Sequence, residues 1–220
     1  MQYLLYIKAA CEAGRNAENA AAMQQYMRGL FPYFGIKTPQ RKAIIKTLLQ
    51  QHGPPETATL PQLAAALWQQ PEREHQYIAV ELLQKQHRHW TEDYIRLFEQ
   101  LLVQKSWWDT VDIISSNLTG PYFRKFPAQS KAITSRWVRS DNIWLQRAAL
   151  LFQLLYREHT DVTLLFGYIR RLSHSKEFFI QKAIGWSLRQ YAKTDPAAVS
   201  RFIQQQPLPA LSVREARKHL

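Results

Sequence analysis

The chain is predicted to be all-α, a series of stacked antiparallel helix pairs. Three observations carry this prediction. Glycine is scarce, at 7 of 220 residues. No strand-like alternation of apolar and polar residues persists, and helix start and stop signals recur along the whole length. Apolar residues make up 46 % of the chain and the mean hydropathy is -0.38. Both values are ordinary for a globular protein, so residues 1–220 read as one domain with a sizeable core.

The elements follow in order. Thr38-Pro39 reads as an N-cap with proline in the first turn of a helix that Gly53 stops. Leu60-Pro61 opens a short helix that Pro71 closes. Thr91-Glu92-Asp93 opens another, with acids at the positive end of its dipole. Gln84 to Trp90, with Lys85, His87, Arg88 and His89, looks like a helix end carrying cations at the negative end. Thr119-Gly120-Pro121 is expected to break the chain. Ser140-Asp141, Thr160-Asp161 and Asp195-Pro196 open three more helices. The count comes to about a dozen helices of roughly 10–18 residues.

The helices repeat. Tyr77-Ile78-Ala79, Asp112-Ile113-Ile114, Arg147-Ala148-Ala149 and Lys182-Ala183-Ile184 stand at a spacing of 35 residues. Each has a variable residue followed by two apolar ones. An aromatic residue (Trp108, Trp144, Phe179) precedes the last three, and another helix lies between successive windows. A period of 35 with two helices per unit predicts a HEAT-like α-solenoid, whose concave face is lined by one helix of each pair. Equivalent positions then form a row, Tyr77, Asp112, Arg147, Lys182. Trp108 lies one turn before Asp112 and Trp186 one turn after Lys182. Those two tryptophans are either packed between helices or exposed along the row.

Charge points to the partner. The net charge is +12. Residues 1–110 carry 12 Lys+Arg against 10 Asp+Glu, a balance of +2, and residues 111–220 carry 17 against 7, a balance of +10. Such asymmetry brings self-repulsion without return unless a polyanion binds, and nucleic acid is the commonest. The concave face is therefore expected to be basic. No apolar run approaches the ~18 residues that cross a bilayer. The N-terminal apolar run is too short for a signal peptide core, and its basic residue, Lys8, follows it. A lone Cys11 excludes an internal disulfide. His87 and His89 are too close to share a helix face, and no metal-ligand spacing, phosphate loop or nucleophile motif appears. A cytoplasmic monomer, without metal or cofactor, is expected.

Within this basic chain, Lys105-Ser106-Trp107-Trp108-Asp109-Thr110-Val111-Asp112 sets two tryptophans and two carboxylates together. On a helix Trp108 and Asp112 share a face. Asp109 suits the structural role of a first-turn acid. A carboxylate repels DNA, so Asp112 in a nucleic-acid groove is there for chemistry. Alone and without a metal it is poorly equipped for phosphodiester hydrolysis. It suits a cationic transition state, such as the oxocarbenium-like sugar of N-glycosidic cleavage. A base alkylated on a ring nitrogen already leaves as a neutral molecule, so one anion that also orients water suffices. Tryptophan faces add cation–π attraction.

At these residues the chain resembles the AlkD-like DNA alkylpurine glycosylases, DNA alkylation repair enzymes built from HEAT-like repeats. The resemblance rests on Trp-Trp-Asp-Thr-Val-Asp at 107–112, Trp-Leu-Gln-Arg-Ala-Ala at 144–149 and Lys-Ala-Ile-Gly-Trp-Ser-Leu-Arg at 182–189. Tyr33-Phe34-Gly35-Ile36-Lys37-Thr38-Pro39 with Arg41-Lys42 adds to it. The resemblance implies Asp112 as the catalytic carboxylate, with Trp108 and Trp186 against the lesion nucleotide. It implies Arg147 on the DNA backbone, and Arg189, Lys182, Tyr26, Thr38 and Lys42 as further DNA contacts. The implied activity is excision of cationic alkylpurines, such as 3-methyladenine and 7-methylguanine, from double-stranded DNA without base flipping. The enzyme would be cytoplasmic, associated with the nucleoid when acting on DNA. The competing readings are a non-catalytic HEAT-like nucleic-acid-binding protein, which does not need Asp112, and a protein-binding scaffold, which does not need the basic half.

Overall fold

The computed structural model describes residues 2–219, and among them there is no strand. No helix there is long and apolar enough to cross a membrane. The chain forms two compact units, Met1–Leu97 and Phe98–Leu220.

The first unit holds α1 (Gln2–Ala13), α2 (Ala17–Tyr26), α3 (Thr38–His52), α4 (Leu60–Gln69) and α5 (Arg73–Lys85), and α6 (Tyr94–Val103) begins in it. α4 packs on α5, and α1 packs on α3 and α4. Its core includes Ile7, Ile36, Ile45, Leu67, Trp68 and Ile78. α5 is buried nearly all round, so its polar first turn needs internal partners. Glu74 has them: its carboxylate accepts the backbone N–H groups of Phe34, Gly35 and Ile36 at 3.1, 2.9 and 3.0 Å. The loop that begins at Tyr33 is thus wired to α5. Gly35 sits at φ +88, and a Cβ there would lie 2.1 Å from the Asn16 carbonyl oxygen.

The second unit holds α7 (Trp108–Ile113), a π-helical segment (Ile114–Thr119), α8 (Gly120–Lys125), α9 (Pro127–Arg139), α10 (Ile143–Leu151), α11 (Val162–Leu172), α12 (Phe178–Ala192), α13 (Pro196–Gln205) and α14 (Ala210–Ala216). α7 packs on α10, α10 on α12, and α12 on α14. α9 packs on α10 and α11, and α13 on α12. The unit is therefore a set of packed helix pairs, one row running α7, α10, α12, α14. The repeat is exact in the chain: α3, α5, α7, α10 and α12 start at residues 38, 73, 108, 143 and 178.

Several boundaries differ from the sequence reading. Thr119-Gly120-Pro121 does not break the chain: Gly120 has φ −58 and ψ −62, and helix continues through it. The π turn just before it widens the backbone, which accommodates a proline ring that collides in a regular α-helix. The hydroxyls of Ser115, Ser116 and Thr119 donate to the carbonyls four residues earlier, and Tyr156 donates to the Gly120 carbonyl. Asn142, not Ser140 or Asp141, caps α10, accepting from the N–H groups of Trp144 and Leu145. α3 begins at Thr38 with Lys37 as the cap, whose N–H donates to Gln40. Asp161 and Asp195 cap α11 and α13 as expected.

Gly35→Ala is expected to destabilise the protein by ~3 kcal/mol or more, because backbone must move and the φ is unfavourable as well. Denaturant unfolding of the variant measures this.

Candidate active site

The chemistry-bearing residues of the second unit lie on α7, α10 and α12, whose starts the repeat sets in register. Trp107 is extended (φ −155, ψ 162) and ends the preceding turn, so α7 starts at Trp108. Asp109 falls in its first turn and is buried, in keeping with a structural role. Asp112 lies one turn after Trp108. Its side chain is 13 % exposed and receives a two-pronged ion pair from Arg147 of α10. Arg147 Nε donates to Oδ1 at 2.7 Å and Nη2 to Oδ2 at 2.8 Å. Arg147 Nη1 donates to the Phe179 carbonyl at the start of α12. One guanidinium therefore joins three successive helices of the row. Arg147, expected on the DNA backbone, is buried and engaged with Asp112.

Burial is the largest influence on Asp112 and pushes its pKa above the ordinary 3.8. The Arg147 hydrogen bonds and charge pull it back, and the Asp109 charge pushes it up. Backbone around it is also unusual. The π segment opens two residues later, and the Asp112 carbonyl accepts the Ser116 hydroxyl at 2.8 Å. Helical turns of this kind recur at functional sites.

Trp107 packs edge-on against Trp144 and Phe179, with ring centroids 5.7 and 4.9 Å away, and Trp144 lies 5.1 Å from Phe179. The indole N–H of Trp107 is buried without a hydrogen-bond partner. Trp108 and Trp186 are both half-buried, which leaves ring surface open at each. Trp107 is thus a packing residue, and the sequence reading gave it no role.

The other cations of the row are not free either. Lys182 Nζ lies 3.0 Å from Glu215 Oε1 and Arg189 Nη1 3.0 Å from Glu215 Oε2. Lys218 completes a three-cation cluster on the same carboxylate. Lys218 and Lys182, the largest causes, hold Glu215 down to about 2 from an ordinary 4.5. Glu215 escaped the sequence reading, since it pairs across 33 and 26 residues and only Lys218, three residues on, is local. Tyr77 is a core residue instead of a lining one. Its hydroxyl lies 3.1 Å from that of Tyr33, and the Arg41 guanidinium sits over its ring. Burial of its neighbours on α5 closes that position. Tyr26, Thr38 and Lys42 are exposed residues of the first unit, at the end of α2 and the start of α3. Among the described residues no group of His, Cys, Asp or Glu has the arrangement to hold a metal ion.

Comparison with known proteins agrees with this architecture. A family model described as DNA alkylation repair enzyme matches residues 7–220. A solved structure described as a predicted DNA alkylation repair enzyme from Enterococcus faecalis is similar at 36 % identity and a TM-score of 0.87. The match covers 94 % of this chain and 96 % of that one. The smu.31 structure from Streptococcus mutans UA159 is 15 % identical with a TM-score of 0.62, covering 80 % and 90 %, and supports the fold alone. No protein of curated function matches.

Two stability predictions follow from the ion pairs. Arg147→Ala leaves a carboxylate without its partner and is expected to cost ~3 kcal/mol at neutral pH. Arg147→Lys is expected to restore little of it, since an ammonium cannot make two parallel bonds. An upward-shifted acid resists ionisation in the fold, so the Arg147→Ala deficit should shrink as pH falls and Asp112 protonates. Glu215 is shifted the other way. Its stabilisation is present above 4.5 and lost as pH falls toward about 2. The stability difference between wild type and Glu215→Gln is therefore expected to fade across that window in denaturant titrations.

Proposed function

The chain belongs to the DNA alkylation repair enzyme family, and from that premise we propose that it is a DNA glycosylase for cationic alkylpurines in duplex DNA. The observation that carries the reading is Asp112. It is a carboxylate whose side chain stays 13 % exposed, fixed by Arg147, one turn from the half-buried Trp108. It sits in the half of the chain with a balance of +10, whose field draws DNA phosphates.

The step proposed is hydrolysis of the C1′–N bond. The bonding pair leaves with the base, which departs neutral because alkylation had already made it cationic. Positive charge passes to the deoxyribose. Asp112, beside the sugar, gains attraction as that charge arrives, so it stabilises the transition state more than the ground state. Water then forms the new bond at C1′, and Asp112 orients it and accepts its proton. Trp108 and Trp186 present ring faces to the cation, a contribution of ~1–2 kcal/mol each. Arg147 aims the carboxylate and its charge favours the ionised form, while its own burial and full set of partners turn it from a backbone contact into a positioning residue. Arg189, Lys182, Tyr26, Thr38 and Lys42 supply the backbone contacts, which position without reading sequence.

The deciding experiment is release of 7-methylguanine and 3-methyladenine from methylated DNA. Asp112→Asn, similar in size but uncharged, is expected to reduce the single-turnover rate by a factor of ~10²–10³. Trp108→Ala and Trp186→Ala are expected to lose roughly tenfold each. Because burial lifts Asp112 above 3.8, activity should fail on the acid side at a pH higher than an ordinary aspartate gives. Full activity of Asp112→Asn would sink the assigned role. Duplex binding without any base release by the wild type would establish a binding protein instead.

A further inference from the structure

Three cations share one buried carboxylate on the surface made by α12 and α14. The Glu215 side chain is 7 % exposed, while those of Lys182, Arg189 and Lys218 are 37, 24 and 51 % exposed. Lys218 Nζ donates to both Glu215 oxygens at 2.9 Å. Charge neutrality at Glu215 needs one cation. The cluster holds three, leaving a local balance of +2 on the solvent side.

The cluster is built, not incidental. α14 presses close on α12 at Gly185, where a Cβ would lie 2.5 Å from Glu215 Cβ and 2.8 Å from the Ser212 carbonyl. Ser212 donates to the Gln181 carbonyl at 2.8 Å. These contacts set the carboxylate under the two α12 cations. Along α12, Lys182, Trp186 and Arg189 are spaced i, i+4, i+7, one stripe of one helix face. The half-buried Trp186 therefore stands between two cations that Glu215 holds in place.

We infer that Lys182, Arg189 and Lys218, ordered by Glu215, form a docking subsite for a DNA backbone phosphate beside Trp186. The inference rests on the DNA reading above and adds Lys218 and Glu215 to it. Cations already fixed lose little side-chain freedom on binding. A phosphate accepts charge-assisted bonds from several of them at once. Glu215 is a positioning residue: it touches no DNA and sets the geometry of the groups that do.

The test is duplex binding by the full chain, read by fluorescence anisotropy of a short unmodified duplex over a salt series. Steep salt dependence is expected for the wild type. Lys218→Ala, a change at a half-exposed side chain, is expected to flatten the log–log slope by about 0.9, the loss of one phosphate contact, and Lys218→Arg to restore it. Glu215→Gln removes a negative charge, and if that charge only repelled DNA, binding would tighten. Positioning predicts the reverse, several-fold weaker binding. Glu158→Gln, the loss of an exposed acid, serves as the control and should tighten slightly. Thermal unfolding of each variant confirms that the fold is kept. An unchanged slope in Lys218→Ala, or tightening by Glu215→Gln equal to the control, overturns the subsite while leaving the DNA reading intact. A wild type that does not bind duplex overturns the DNA reading itself.

Discussion

The Asp112–Arg147 pair joins α7 to α10 through two charge-assisted bonds at 2.7 and 2.8 Å, with both side chains largely out of water. Removing two charges from solvent costs several kcal/mol each, and only close geometry offsets it. The pair therefore tolerates little displacement between the two helices. The third guanidinium nitrogen extends the constraint to the Phe179 carbonyl of α12. The repeat of 35 residues makes this possible, since it delivers position 5 of α7 opposite position 5 of α10. Above the ion pair, Trp107, Trp144 and Phe179 pack the starts of the same three helices. Charge and aromatic packing thus fix one register.

That arrangement answers an objection to a carboxylate in a DNA-binding surface. An isolated anion would weaken phosphate attraction, and burial alone would favour its protonated form. Arg147 counters both effects, since the pair is neutral at a distance and its bonds favour the ionised carboxylate. At short range the field is not neutral. Asp112 is 13 % exposed and the guanidinium only 5 %, so solvent meets more of the carboxylate side chain than of the guanidinium. A positive charge that moves from base to sugar therefore moves down a favourable gradient. The reaction proposed for Asp112 is one in which such a movement occurs.

Much of this was legible in the sequence. The period of 35, the caps at Asp161 and Asp195, and the grouping of Asp112 with Arg147 follow from local signals and their recurrence. What escaped lies in contacts between segments distant in the chain. Nothing local marks Glu215, in a seven-residue helix, as the anchor of Lys182 and Arg189. The π segment also escaped, because Gly120-Pro121 carries the same signal whether the chain breaks or a widened turn absorbs the proline. The resemblance motif around Tyr33 reads differently in the structure. Its glycine and backbone amides serve Glu74, so that part of the motif builds the fold, while Thr38 and Lys42 that follow stay exposed.

Three acids show how burial discriminates between roles. Glu74 is fully buried, and backbone N–H groups of one loop take up its oxygens. It is closed to any substrate, and its work is to hold that loop. Glu215 is nearly as buried, but its partners are side chains with solvent faces. Its charge reaches a ligand only through the cations it orders. Asp112 has one partner and the most exposed side chain of the three. Of these carboxylates it combines a two-pronged anchor with the greatest exposure, 13 % against 7 % for Glu215. A general base must meet water, and an electrostatic catalyst must meet the developing charge. Those requirements are why the proposed reaction is placed on Asp112 and not on the other two.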